Sequence, residues 1–213
     1  MVAALESIDR PGHVVLHDVS WRFYEQLCEE FDDRPIHITY DDGNLEIMAP
    51  VSVMHEIWKK RIAQLIESAC VELGIEPLPC GAANFQRKDL AKGLAPDECY
   101  YIKHAPNILR LKRKLDLKKD PPPDLAIEVE YTRSAIPRQP IYAALGVPEL
   151  WRFDGNKLTV LKLASSGEYK PVKLSGIFPS IPISDFERFM KGFDSQTYVT
   201  NVLEFREWVR TLQ

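Results

Sequence analysis

The segment 121–131, Pro-Pro-Pro-Asp-Leu-Ala-Ile-Glu-Val-Glu-Tyr, is the first place where residue types and spacing suggest chemistry. Strand geometry sends alternate side chains to opposite faces. Leu125, Ile127, Val129 and Tyr131 then share one face, and Asp124, Ala126, Glu128 and Glu130 share the other. Carboxylates in a row repel one another unless a cation, a basic side chain or a shared proton compensates. Mg²⁺ accepts one or two such carboxylates and fills its shell with water and substrate phosphate, so metal-assisted phosphodiester hydrolysis would use this row. A solvated acidic face on an antiparallel strand accounts for the pattern equally well. A glycoside hydrolase acid/base pair also fits the bare acids.

A second acid, Asp97, opens the run Ala95-Pro-Asp-Glu-Cys-Tyr-Tyr-Ile102 at the mouth of another short strand. Alone, Pro-Asp punctuates a turn. With the carboxylate strand downstream it becomes half of a cation site shared by two strands. Lys88, just before the Asp97 strand, is a basic candidate for the same site, although a solvated lysine fits there too. The one strongly basic run, 103–119, carries Lys103, Arg110, Lys112, Arg113, Lys114, Lys118 and Lys119 against Asp116. Such a stripe neutralises phosphates beside an acidic centre, or simply faces water. His55, in the first turn of a helix beside Glu56, is expected to cap or to hydrogen-bond. Glu56 itself suits the helix dipole better than a metal.

The elements that must carry these residues follow from periodicity and punctuation. Ser20 caps an amphipathic helix with Trp21, Tyr24, Leu27, Cys28 and Phe31 at helical spacing. Alternating residues on either side of Asp41-Asp42-Gly43-Asn44 mark a β-hairpin. Ser52 caps a longer core helix that contains Trp58 and ends at Gly74. Strands are expected around Phe85, at 95–102 and at 123–131, a short helix at 140–146, and a hairpin of 148–154 with 157–163. Helices at 184–190 and 197–212 close the chain, the second presenting Tyr198, Val202, Phe205, Val209 and Leu212 on one face. Trp58 and Trp151 read as core aromatics.

With 213 residues, 45% hydrophobic and 27% charged, the chain is expected to form a single domain over 1–213 and can bury a core. Sixteen Pro and ten Gly without period exclude collagen, and no heptads indicate a coiled coil. No stretch reaches the roughly 18 apolar residues of a membrane span, and the start lacks a basic segment followed by an apolar run. The expected location is the cytoplasm, with no membrane partner. Cys28, Cys70, Cys80 and Cys99 form no C-x-x-C pair and are expected as buried free thiols. A net charge of −4 argues against indiscriminate nucleic-acid binding.

Four stretches taken together resemble one family. They are DGNLEIMAP (42–50) with His55, NFQRKDLAKGLAPDECYYI (84–102), DPPPDLAIEVEYTRS (120–134) and PIYAALGVPELWRFDG (140–155). In wording and order they resemble the Uma-type restriction endonucleases of the PD-(D/E)xK nuclease superfamily. The resemblance implies an α/β restriction-endonuclease-like fold, a central mixed β-sheet flanked by helices, and a Mg²⁺ or Mn²⁺ site at one end of the sheet. It matches Asp97 to the first metal-binding aspartate and Glu128 to the acid of the (D/E)xK element. Glu130 stands where that element has its lysine. The family's lysine is displaced onto the following helix, where this chain has Arg138.

By the same resemblance the chain is expected to be a metal-dependent DNA endonuclease, with Asp97, Glu128, Glu130 and Arg138 in the catalytic site. Asp97 and Glu128 are its metal ligands, and Glu130 either holds a water or pairs with Arg133 or Arg138. Lys88, Lys112, Arg113 and Lys114 are the substrate-binding candidates, and a homodimer is expected by analogy with other sheet nucleases. Arginine stabilises phosphate charge but serves poorly as a base. A nuclease fold kept as a DNA- or protein-binding module is therefore the alternative.

Overall fold

The computed structural model describes residues 5–7, 12–32, 34, 36–48, 52–105, 115–130 and 134–213. Lys112, Arg113, Lys114 and Arg133 lie outside the described residues, as does Tyr131.

The hairpin expected around Asp42-Gly43 forms between β3 (His37–Asp41) and β4 (Asn44–Met48). Asp42 and Gly43 both have positive φ, +46° and +85°, the backbone of the turn that matches strand twist. β4 also pairs with β2 (His13–Leu16), which pairs with β1 (Leu5–Ser7). On the other side β3 pairs with β7 (Lys92–Leu94), and β7 with β6 (Phe85–Arg87). The result is an antiparallel six-stranded sheet, ordered β1-β2-β4-β3-β7-β6.

A second six-stranded sheet is mixed. Its order is β12 (Tyr169–Val172), β11 (Leu158–Leu163), β10 (Glu149–Phe153), β9 (Leu125–Val129), β8 (Glu98–Tyr101) and β5 (Leu78–Pro79). Only β9 and β10 are parallel, and between them runs α3 (Arg138–Leu145), since parallel neighbours need a crossover. This sheet matches the expected mixed α/β arrangement, and the antiparallel sheet stands beside it. α3 begins two residues before the expected 140–146, because Pro140 in its first turn lacks an N–H that would have no partner there anyway.

α1 (Trp21–Glu30) starts where Ser20 Oγ accepts the Phe23 N–H. α2 (Val53–Leu73) starts where Ser52 Oγ accepts the His55 N–H at 3.2 Å and ends at Gly74, φ +64°. α4 (Ile183–Gly192) and α5 (Tyr198–Arg210) complete the helices among the described residues. The apolar stripe of α2, Trp58, Ile62, Leu65, Ile66 and Ala69, packs with Leu125, Ile127 and Val129 of β9 and Trp151 and Phe153 of β10. Each buried side chain of this kind contributes about 1.5–3 kcal/mol. α5 adds Phe205 and Val209 to that core, but Tyr198, expected on the same face, is half exposed.

The opposite face of β9 is also covered. Ala126 packs with Ile141, Tyr142 and Leu145 of α3, and α3 in turn meets β6 and β7 of the antiparallel sheet. The solvated acidic face considered for 123–131 is thereby excluded, since Glu128 is only 6% exposed. Trp58 and Trp151 are core residues, as their spacing suggests. Cys28, Cys70 and Cys99 are buried and Cys80 is half buried, all as free thiols. At Gly93 the ring of buried Tyr24 occupies the space a Cβ would need.

Candidate active site

The register explains how two acids far apart in the chain become neighbours. β8 runs antiparallel to β9 with Glu98 opposite Ile127, and Asp97, in the bend just before β8, is held beside the Glu128 end of β9 by its own hydrogen bonds to that strand. On the other side, parallel pairing sets Arg152 of β10 beside Glu128. Residues opposite one another in a ladder project to the same face. Glu128 and Arg152 thus stand side by side on β9 and β10, and Asp97 at the mouth of β8 joins them where the sheet borders α3. The three open into a cavity of about 480 Å³ that His37, Ser52, His55, Glu130, Arg138 and Tyr142 also line.

Asp97 is fixed by the sheet itself. Its N–H donates to the Ile127 carbonyl at 3.1 Å, and its Oδ2 accepts the Val129 N–H at 2.6 Å. His55 Nε2 lies 3.1 Å from the same oxygen, and His37 Nε2 lies 3.9 Å from Oδ1, beyond hydrogen-bond reach. Burial pushes the Asp97 carboxyl up, but the hydrogen bond and charge of His55, with Arg138 and His37, hold it below its usual value. His55 is lowered by burial and raised by more through Asp97 and Glu56, so its net shift is upward. His37 is shifted down, because its own burial outweighs the pull of Asp97.

Glu128 meets a different balance. Burial raises its pKa to about 7, the Asp97 charge adds to the rise, and Arg138 and Tyr142 only partly oppose it. Arg138 Nε donates to Glu128 Oε1 at 3.1 Å and Nη2 lies 2.8 Å from the same atom. The Tyr142 hydroxyl donates to it as well. All of these contacts land on Oε1. Arg138 also donates through Nη1 to Thr39 Oγ1 at 3.2 Å and through Nη2 to the Ala95 carbonyl, so its guanidinium ties both sheets together. Its charge is reinforced by Glu128 and Asp97.

Glu130 follows the strand, and its N–H donates to the Phe153 carbonyl at 2.7 Å. Its carboxylate pairs in bidentate fashion with Arg152, through Nε and Nη2, rather than with Arg138. Of the other basic candidates, Lys88 is exposed in a single 3₁₀ turn (Lys88–Leu90) and does not line the cavity. Glu56 pairs with Lys59 at 2.8 Å. The chain therefore brings together Asp97, Glu128, Glu130 and Arg138 and leaves Lys88 apart.

Sequence reasoning did not single out His37, Tyr142 and Arg152 as site residues. Arg152 had a signal, a lone arginine set among Leu150, Trp151 and Phe153 of the strand Glu149–Phe153. His37, at the start of a hairpin strand, had none.

Among the described residues no three His, Cys, Asp or Glu side chains gather as a ready metal-ligand cluster. The donor set nonetheless suits a hard cation, because Mg²⁺ needs only one or two carboxylates and keeps several waters. Asp97 Oδ1 carries no hydrogen bond from His37, and the contacts of Glu128 gather on Oε1, so each acid has an oxygen outside these bonds. The raised pKa of Glu128 is what a carboxylate shows when burial outweighs the positive charge and hydrogen bonds that favour its ionised form.

A mixed sheet flanked by helices, with two acids side by side on adjacent strands, defines a restriction-endonuclease-like α/β fold. Residues 21–187 match the family model Uma2, described as "Putative restriction endonuclease", and the chain belongs to that family. No curated protein matches the chain.

Proposed function

We propose that the protein is a divalent-metal-dependent DNA endonuclease that hydrolyses phosphodiester bonds. The observation that carries this reading is that Asp97, hydrogen-bonded to β9, and Glu128 of β9 line one cavity, with Arg138 bonded to Glu128. Asp97 and Glu128 would hold Mg²⁺ or Mn²⁺. When bound, the cation supplies Lewis acidity at the phosphate and lowers the pKa of a water.

The residues of the chain do the positioning. Three of the five N–H donors of Arg138 are engaged by Glu128, Thr39 and Ala95, and Nη2 also lies against the Glu128 carboxylate, so its main task is to hold Glu128 and supply charge. Arg152 uses Nε and one Nη2 proton on Glu130, which leaves three donors at the cavity for phosphate oxygens. Glu130 thereby orients Arg152. Tyr142 keeps its proton, because burial and Glu128 raise its pKa, and donates it to the carboxylate. Lys112, Arg113 and Lys114 serve as backbone-phosphate contacts, and two copies acting together would meet both DNA strands.

Calorimetric Mg²⁺ and Mn²⁺ titrations of the wild type, Asp97→Ala and Glu128→Ala, with plasmid nicking in the same samples, test this reading. Metal binding and nicking that both substitutions abolish are expected. No divalent binding at millimolar concentration, even with DNA present, overturns it.

One observation favours a second reading. Arg138 occupies the lysine role with a largely engaged guanidinium and cannot act as a base. A DNA- or protein-binding module on the same fold would show salt-dependent DNA binding without nicking.

A further inference from the structure

Cys80 and Cys99 are far from any C-x-x-C spacing, and the sheet brings them face to face. β5 pairs with β8 with Leu78 opposite Tyr101 and Pro79 opposite Tyr100. The next step sets Cys80 opposite Cys99, and the Cys80 N–H donates to the Cys99 carbonyl at 2.9 Å. Opposed residues of an antiparallel ladder share a face, and hydrogen-bonded pairs hold their Cα atoms about 5.5 Å apart. That separation is also the commonest one for a disulfide. The neighbouring Cys99 side chain holds the Cys80 thiol below its usual pKa, while each S–H donates to a backbone carbonyl, Cys99 to Gly81 at 3.2 Å and Cys80 to Leu78 at 3.7 Å. Their accessibility differs in a useful way: Cys80 is half buried and Cys99 fully buried. A peroxide therefore reaches Cys80 first, and Cys99 is placed to resolve the product.

We propose that Cys80 and Cys99 form a redox-active dithiol that closes to an intramolecular disulfide under hydrogen peroxide. The Cys80 thiolate attacks one peroxide oxygen, the O–O bond breaks, and sulfenic acid and hydroxide form. The Cys99 sulfur then attacks the Cys80 sulfur, the S–O bond breaks, and water leaves with the Cys99 proton. Two electrons pass from the thiols to the peroxide, and a dithiol reductant reverses the change.

The position of the bridge gives it a consequence. Between the two cysteines the chain leaves the mixed sheet, forms β6 and β7 in the antiparallel sheet, and returns through Asp97 into β8. A bond between Cys80 and Cys99 closes that excursion into a covalent ring of about 20 residues that contains Asp97. β5 has only two residues and lies at the sheet edge, so the bond also pins the weakest strand of that sheet.

The test is peroxide treatment of the full chain, alkylation of remaining thiols and peptide mapping without reductant, alongside thermal melts. A Cys80–Cys99 linked peptide pair is expected, with a Tm rise of about 5–10 °C that dithiothreitol reverses. Cys80→Ser, a change at a half-exposed position, must lose both effects. Cys99→Ala, close in volume, must leave Cys80 to proceed to sulfinic acid. Oxidation of wild-type Cys80 to sulfinic acid or to an intermolecular bond while Cys99 stays a thiol would overturn the proposal, as would an unreacted pair. None of these outcomes depends on nuclease activity.

Discussion

The burial of Glu128 yields a measurable pH dependence of stability. In the folded chain its pKa is about 7, against an ordinary value of 4.5. A carboxyl whose folded pKa is raised binds more protons in the folded state, so stability falls as pH climbs through this interval. At 1.36 kcal/mol per pH unit the full span is about 3.4 kcal/mol, and about 2.5 kcal/mol of it falls between pH 5 and 8. Glu128→Gln removes this titration. It also leaves Arg138 without its buried partner, an offset that does not change over this pH range, because arginine stays charged. His37 and His55 are present in both proteins, so their contributions largely cancel in the difference. The assay is urea unfolding of both proteins at pH 5, 6, 7 and 8 in the presence of EDTA. The wild-type stability minus that of Glu128→Gln should drop by about 2.5 kcal/mol from pH 5 to pH 8, most steeply below pH 7. Saturating Mg²⁺ should flatten the drop, since a cation favours the carboxylate. A difference that is flat or rising in EDTA refutes the assignment of Glu128 as an undercompensated buried acid.

Other substitutions test neighbouring contacts. Arg138→Lys gives up the contacts to Thr39 and the Ala95 carbonyl and should cost about 1–3 kcal/mol in urea unfolding. If a basic amine is what the site lacks, the same variant should nick plasmid at least about 10-fold faster than the wild type. An unchanged or lower rate removes lysine chemistry from the mechanism. Gly93→Ala forces a methyl group against the Tyr24 ring and should destabilise by about 1–3 kcal/mol, with Tyr24→Ala, Gly93→Ala less than additive in a double-mutant cycle. Trp151→Ala, at a fully buried position, should cost about 3–5 kcal/mol and lower the urea midpoint accordingly.

Local signals were readable in the amino-acid sequence because the physics behind them is local. Ser20, Ser52 and Gly74 sit at the helix ends their chemistry suits, and Asp42-Gly43 makes the hairpin turn it specifies. The antiparallel sheet was not readable, since it joins β3 to β7 across some fifty residues and β7 itself contains Gly93, a weak strand former. For the site, the acids stood out by type and by resemblance. Their compensation did not, because His37, His55 and Arg152 arrive from three separate elements, and Glu130 takes as its partner the arginine of the neighbouring strand. Glu128 likewise could not be known as buried until α3 was placed over β9.

The site also has a built-in order of assembly. Arg138 and Tyr142 reach Glu128 across 10 and 14 residues, within one strand–helix unit, whereas Arg138 reaches Thr39 across 99. Closing the longer loop costs about 2 kcal/mol more chain entropy than closing the shorter one. The Glu128 half can therefore form with the crossover that nucleates the mixed sheet, and the contact to the antiparallel sheet is added when the two layers dock. Perturbing Tyr142 should slow refolding, while perturbing Thr39 should chiefly hasten unfolding. The last step of folding would then be the one that steadies the arginine over its acid, so only a fully docked chain presents a finished site.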